Sequence, residues 1–286
     1  MIRMALAALA LALTPALAHA DPGLPDIDEA GGMPQGYQLV WADEFDHGRF
    51  PDTHKWTYDT ARNAQGWYNN ELQYYAARRR ENVRIEDGAL VLEARHEDLS
   101  RMSDYGGQHY SSGKIMTRGI AQWTYGYFEI RARFTCAYGS WPAIWMLGQG
   151  GQWPEQGEID IMEHIGAYPG IVHGTVHTGA YNHRDQTQRT AVKQTPEVCT
   201  DGQYHLYQLT WTPDRITIGY DNHNYYQFSR DAAGGHDAWP FDAPEYMILN
   251  FAIGGWGGDD VTQIKPETFP QRMEVDYVRV YQAPRN

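Results

Sequence analysis

Tyr127-Phe128-Glu129-Ile130-Arg131-Ala132-Arg133-Phe134 is the stretch that decides the fold. In an extended chain Phe128, Ile130, Ala132 and Phe134 fall on one side, and Tyr127, Glu129, Arg131 and Arg133 on the other. A period of two with one apolar side is a strand buried on one face. The same pattern recurs in both directions along the chain. Residues 82–86, the pair Asp87-Gly88 and residues 89–95 read as a hairpin with a two-residue turn. Residues 204–211 and 215–220 flank a Thr-Pro-Asp turn, and residues 273–282 read as a last strand with Val275, Tyr277 and Tyr281 on one side. No long stretch carries a helical period. Short strands separated by Gly/Pro turns indicate an all-β protein, either an open sandwich of two antiparallel sheets or a closed barrel. The pattern leaves both open, but faces this rich in polar and aromatic residues suit a sandwich with one concave, ligand-facing sheet.

Composition narrows the function. The 286 residues include 10 Trp, 20 Tyr and 8 Phe, with 21% charged residues and a net charge of −13. A mean hydropathy of −0.62 excludes a membrane protein, and the aromatic content excludes a disordered chain. With this acidity and no block of Lys or Arg, nucleic acid is not an expected partner. So many Trp in a polar chain point instead to flat ligands with apolar faces. Met1-Ile2-Arg3, an Ala/Leu run and Ala18-His19-Ala20 read as a secretory signal peptide over 1–20, cleaved near Ala20. The mature protein would be periplasmic or extracellular and free of the membrane. Residues 21–36 form a Pro/Gly/Asp-rich leader, and 37–286 a single domain without linker or repeat. In an oxidising compartment Cys136 and Cys199 are either one disulfide or buried free thiols.

The strongest chemical signal is Gly157-Glu158-Ile159-Asp160-Ile161-Met162-Glu163. Glu158 and Asp160 share a strand face, but Glu163 would point to the opposite side of a regular strand. A β-bulge at Ile161-Met162 adds one residue and returns Glu163 to the acidic face. Three carboxyls so placed cannot all ionise cheaply, so at least one holds its proton. Retaining glycoside hydrolysis needs that pairing, one ionised carboxylate as nucleophile and one protonated acid. Asp160 between them would modulate the nucleophile. Calcium ligation and a solvent-facing edge strand are the competing readings of the same residues.

Neighbouring motifs decide among these. Trp141-Pro142-Ala143-Ile144-Trp145-Met146 followed by the acidic run resembles the bacterial laminarinase branch of glycoside hydrolase family 16. Trp41-Ala42-Asp43-Glu44-Phe45, Asn69-Asn70-Glu71-Leu72-Gln73-Tyr74-Tyr75, Ser112-Gly113-Lys114-Ile115, His173-Gly174-Thr175-Val176-His177, Gly254-Gly255-Trp256-Gly257-Gly258 and Val275-Asp276-Tyr277 match in order, so the resemblance covers 37–283. It implies a β-jelly-roll sandwich of the concanavalin A-like kind, with a concave substrate cleft. It implies Glu158 as nucleophile, Glu163 as general acid and base, and Asp160 as their assistant. The extra Met162 resembles the bulged branch of laminarinases, agarases and carrageenases.

The resemblance also implies a cleft containing Asn70, Glu129, Arg131, Trp141, Trp145, His177 and Trp256, with Trp153 a further candidate for stacking on sugar rings. It implies a structural calcium ion held by Asp276 with Gly88 and Glu44, and no cofactor for catalysis. The expected partner is a β-glucan polysaccharide or oligosaccharide, bound by a monomer. The expected activity is endo-acting hydrolysis of β-1,3 bonds in laminarin-type glucans. Mixed-linkage glucan, a galactan such as agarose or carrageenan, and glucan binding without hydrolysis are the alternatives. Two departures from the family pattern bear on preference. Phe134-Thr135-Cys136-Ala137-Tyr138-Gly139-Ser140 replaces a more basic, Gly-rich approach to the Trp-Pro segment, and Tyr220-Asp221-Asn222-His223-Asn224 replaces a tight Asp-Gly turn.

Overall fold

A computed structural model describes residues 30–230 and 234–284. The expected signal peptide and residues 21–29 of the leader lie outside them. The strands in chain order are β1 (Gln38–Asp43), β2 (Thr57–Tyr58), β3 (Gln73–Tyr75), β4 (Val83–Glu86), β5 (Ala89–His96), β6 (Tyr110–Ser112), β7 (Lys114–Met116), β8 (Gly126–Phe134) and β9 (Ser140–Gly148). They continue with β10 (Glu158–His164), β11 (Ile171–His177), β12 (Arg189–Gln194), β13 (His205–Trp211), β14 (Arg215–Tyr220), β15 (His223–Ser229), β16 (Glu245–Ile253) and β17 (Gln271–Gln282). Gly235–Ala238 forms a single α-helical turn.

These strands form two sheets, a jelly-roll sandwich and not a closed barrel, as the resemblance implies. One runs β12-β11-β10-β9-β16-β7-β2. The other runs β15-β14-β13-β8-β17-β5-β6-β3, with β1 added to β17 and β4 to β5. The pairings are antiparallel except that of β3 with β6. The two inner faces meet in one core, where Phe128 and Ile130 of β8 and Val278 and Val280 of β17 face Ile144 and Met146 of β9, Ile159 of β10 and Leu249 of β16. All eight are fully buried. Burying such side chains at ~1.5–3 kcal/mol each is what drives the sheets together.

The β4–β5 hairpin turns at Asp87 and Gly88, both at positive φ, as a two-residue turn of this hand requires. Asp221-Asn222 does the same between β14 and β15, so the departure from Asp-Gly leaves the turn type intact. The last strand differs from expectation. Val275 lies in the core, whereas Tyr277 and Tyr281 face outward, because a bulge between Val275 and Tyr277 reverses the alternation. Cys136 and Cys199 are joined as a disulfide, with Cα atoms 5.7 Å apart. Of the Trp residues, Trp56, Trp67, Trp123, Trp141, Trp211 and Trp239 are buried, and Trp41 packs edge-on against Trp56 and Trp123 at 5.5 and 5.3 Å.

Candidate active site

The carboxyl row stands on β10, in the middle of the seven-stranded sheet. Glu158 lies opposite Leu147 of β9 and His177 of β11, and Asp160 opposite Trp145 and Thr175. Both ladders then slip by one residue, and Glu163 lies opposite Ala143 and His173. Residues opposite one another share a face, so the bulge brings Glu158, Asp160 and Glu163 onto the outer face of the sheet. Ile159, Ile161 and Met162 are fully buried beneath them. The expected bulge is present where the spacing requires it. Gly157, at φ +85°, lets the chain enter the strand where a Cβ would meet Pro240 and the carboxyl of Glu245.

Although the row faces outward, water barely reaches it. Asp160 is 3% exposed and Glu163 8%. Burial, reinforced by Asp160, pushes the Glu158 carboxyl up to about 8. Burial likewise raises Asp160, and burial with the Asp160 charge raises Glu163 well above the ordinary range. Three carboxyls crowded and buried in this way hold at least one proton among them.

Each glutamate has its own indole. Trp153 donates from Nε1 to Oε2 of Glu158 at 3.0 Å, and Trp141 from Nε1 to Oε1 of Glu163 at 3.0 Å. His177 Nε2 lies 3.4 Å from Oδ2 of Asp160 and 3.8 Å from Oε1 of Glu158. Beyond Glu163 the edge of Trp141 meets Trp256 at 5.9 Å, and His173 packs on Trp256 at 4.9 Å. Trp256 remains 44% exposed, an open indole beside the acid. Gly255 before it has φ +54°, and a Cβ there would meet the Asn69 carbonyl at 2.4 Å. The glycines therefore let the Trp256 loop seat against Asn69-Asn70, both also at positive φ. Trp145 donates to Asn250 Oδ1 at 2.7 Å, and the Lys114 ammonium lies 5.4 Å from its ring.

Trp141, Trp145, His177 and Trp256 thus gather around the carboxyl row, and Asn70 lies against the loop that carries Trp256. Glu129 and Arg131 do not. They stand on β8 in the opposite sheet, on its outer face, where Glu129 accepts from Tyr127, Tyr277 and Gln208 and Arg131 pairs with Asp276 at 2.6 Å. Their alternation is that of any half-buried strand, and nothing in it says which sheet the strand joins. Trp153 also takes a different part, since its N–H is spent on Glu158 and His183 covers one ring face at 4.7 Å. Asn250, the lone amide in Met247-Ile248-Leu249-Asn250-Phe251, is a site residue that the sequence reading passed over. An isolated polar side chain in an apolar strand was the available signal.

Of the expected calcium ligands, Asp276 would offer its carboxylate, and Gly88 and Glu44 their backbone carbonyls. Asp276 is taken by Arg131, and Glu44 is gripped by Arg279 through bonds of 2.9 and 2.8 Å. A cation bound by the Asp276 carboxylate would compete with the Arg131 guanidinium. Donor atoms of Glu158, Asp160 and His177 lie within 4.8 Å of one another, but a metal there would occupy the expected nucleophile. Cys136, His164 and Cys199 also cluster, with both sulfurs already committed to the disulfide.

The family model for glycosyl hydrolases family 16 matches residues 70–279. The chain is 48% identical over 255 residues to a β-glucanase of Rhodothermus marinus, covering 86% of this chain and 85% of that one. It is 36% identical over 261 residues to glucan endo-1,3-β-glucosidase A1 of Niallia circulans, covering 86% of this chain but only 38% of that longer protein. Its structure superimposes with a TM-score of 0.85, at 55% identity over 89% of this chain and 98% of the other, on a mutant of SCLam. SCLam is a non-specific endo-β-1,3(4)-glucanase, and that mutant presents a 1,3-β-D-cellobiosyl-glucose at its active site.

Proposed function

The chain belongs to glycosyl hydrolases family 16, and from that membership we propose an exported, monomeric endo-β-1,3-glucanase that cleaves laminarin-type glucans with retention of configuration. The observation that carries the reading is the bulged row, in which two glutamates share a face but have unlike surroundings. Double displacement needs that inequality. Glu158 attacks the anomeric carbon as a carboxylate, while Glu163 gives its proton to the departing glycosidic oxygen. With Oε1 of Glu163 accepting from Trp141, Oε2 is the oxygen left to carry that proton. Glu163, now ionised, then takes a proton from water, which attacks the glycosyl–Glu158 ester and frees the sugar with two inversions. Asp160 beside Glu158 helps set how many protons the row holds. No step calls for a metal.

Trp256 offers an indole face to a pyranose beside the acid, and Trp145 and Asn250 line the sheet next to Asp160. The oligosaccharide bound to SCLam supports a β-glucan as the ligand. That relative's non-specific 1,3(4) activity also favours a second reading, in which mixed-linkage glucans are cleaved too. The altered approach at residues 134–140 ends beside Trp141 and so borders the proposed sugar site. Reducing-sugar release from laminarin, curdlan, lichenan and agarose tests both readings. Release is expected from laminarin and none from agarose, with lichenan reporting on the second reading. No release from laminarin, or a preference for agarose, overturns the assignment.

A further inference from the structure

Trp153 is joined to the site by more than its hydrogen bond. It lies on the loop between β9 and β10, its ring packed 4.7 Å from His183, 5.8 Å from the Arg184 guanidinium and 5.7 Å from His177. His183 and Arg184 come from the loop between β11 and β12, which its own buried Asn182 holds in shape. The Asn182 amide donates to the carbonyls of Thr178 and Gly179 at 3.3 and 3.2 Å, and its Oδ1 accepts from Asp185 N at 3.0 Å. Ala180 N donates to Asp237 O at 3.0 Å, tying the loop to the Gly235–Ala238 turn. A rigid loop thus presses a ring onto the one indole whose N–H reaches the proposed nucleophile.

We propose that Trp153 holds the Glu158 carboxylate in its attacking position and that His183 is a positioning residue acting through Trp153. This rests on Glu158 being the nucleophile. An indole N–H only donates, so it favours the ionised carboxylate over the acid. Holding Oε2 also leaves Oε1 as the attacking oxygen. The sites facing Glu158 are Asp160 and Glu163 on its own strand, His177 on β11, and Glu245 and Tyr246 on β16. Burial and the neighbouring Asp160 oppose ionisation of Glu158, so the Trp153 bond works against both. His183 limits the rotation of an indole that otherwise sits on a loop containing Gly150 and Gly151, both at positive φ.

The test is a carbon-13 NMR titration of glutamate carboxyls in the whole protein, with the Glu158 signal assigned by its loss in Glu158→Gln. In Trp153→Phe, which keeps an aromatic ring but loses the N–H, Glu158 should titrate about one pH unit higher. His183→Ala should move it the same way by less, and His183→Phe should restore it by keeping the packed ring. On laminarin, kcat should fall ~10-fold in Trp153→Phe with KM nearly unchanged. An unmoved Glu158 titration, or a rise in KM with kcat intact, would overturn the proposal and return Trp153 to the role of a sugar platform. If Trp153→Phe does not fold, the two His183 variants decide the matter. The NMR readout needs no substrate, so a protein inactive on every glucan would lose the glucanase reading while the titration still judged the proposal.

Discussion

The outer faces of the two sheets are built from the same residue types, yet only one of them can do chemistry. On the ten-stranded sheet, Arg131 meets Asp276, Arg133 meets Glu274 and Arg279 meets Glu44. Those charges are paired and partly wet, and pairs of that kind contribute little. On the seven-stranded sheet, Glu158, Asp160 and Glu163 stand together with indoles and an imidazole, and no Lys or Arg forms an ion pair with them among the described residues. Pairing satisfies a carboxylate, while crowding and burial leave it holding a proton it can give away.

The comparison is broken most severely by removing the proposed nucleophile. Glu158→Ala should lower kcat on laminarin by roughly 10⁴-fold or more, with glucan retention in affinity electrophoresis largely unchanged; full residual turnover would end the assignment. Glu163→Gln should cost ~10²–10⁴-fold on glucan, and much less on an aryl glycoside whose leaving group needs no proton. The pH dependence of kcat/KM sharpens the contrast further. Its acidic limb reports ionisation of Glu158, so it should lie above the ordinary glutamate value of about 4.3, because burial and Asp160 raise that carboxyl.

Stability should respond in the opposite sense. A carboxyl whose proton is held more tightly in the folded state stabilises the fold below its unfolded pKa, and that contribution is lost as pH rises. Glu163 is such a group, and so is Glu245, 1% exposed and lacking a hydrogen-bond partner for either oxygen. Glu163→Gln and Glu245→Gln should therefore raise Tm at neutral pH, by roughly 2–4 °C for each kcal/mol gained. The gain should vanish below about pH 4. A gain that stayed constant with pH would mean the carboxyls are not the cause. The smallest effect belongs to the other face. Arg131→Ala should leave kcat/KM within about twofold and cost under ~1 kcal/mol in urea unfolding; a large loss of activity would put that face back in the site.

Much of this contrast was legible in the chain. The period of two in residues 127–134, the Asp87-Gly88 turn and the five-residue gap from Glu158 to Glu163 each carry a local geometric demand, and the fold meets all three. Glu129 and Arg131 show where local pattern stops. Alternation tells which residues share a face, but membership of a sheet depends on pairings made across long separations, here β8 with β13 and β17. Tyr277 was misplaced for a related reason, since the bulge at Asp276 leaves no mark in hydrophobicity. Trp153 was visible as a residue but not as a donor to Glu158, because that bond depends on the path of a loop.

The central claim is that Glu158 is the nucleophile and Glu163 its acid partner. Trapping with a 2-fluoro laminaribiosyl fluoride, followed by peptide mass spectrometry, tests it most directly. The account predicts one covalent glycosyl label per chain, on Glu158, formed with loss of activity and absent in Glu158→Gln. A label on Glu163 or Asp160, or steady turnover with none accumulating on Glu158, would contradict it.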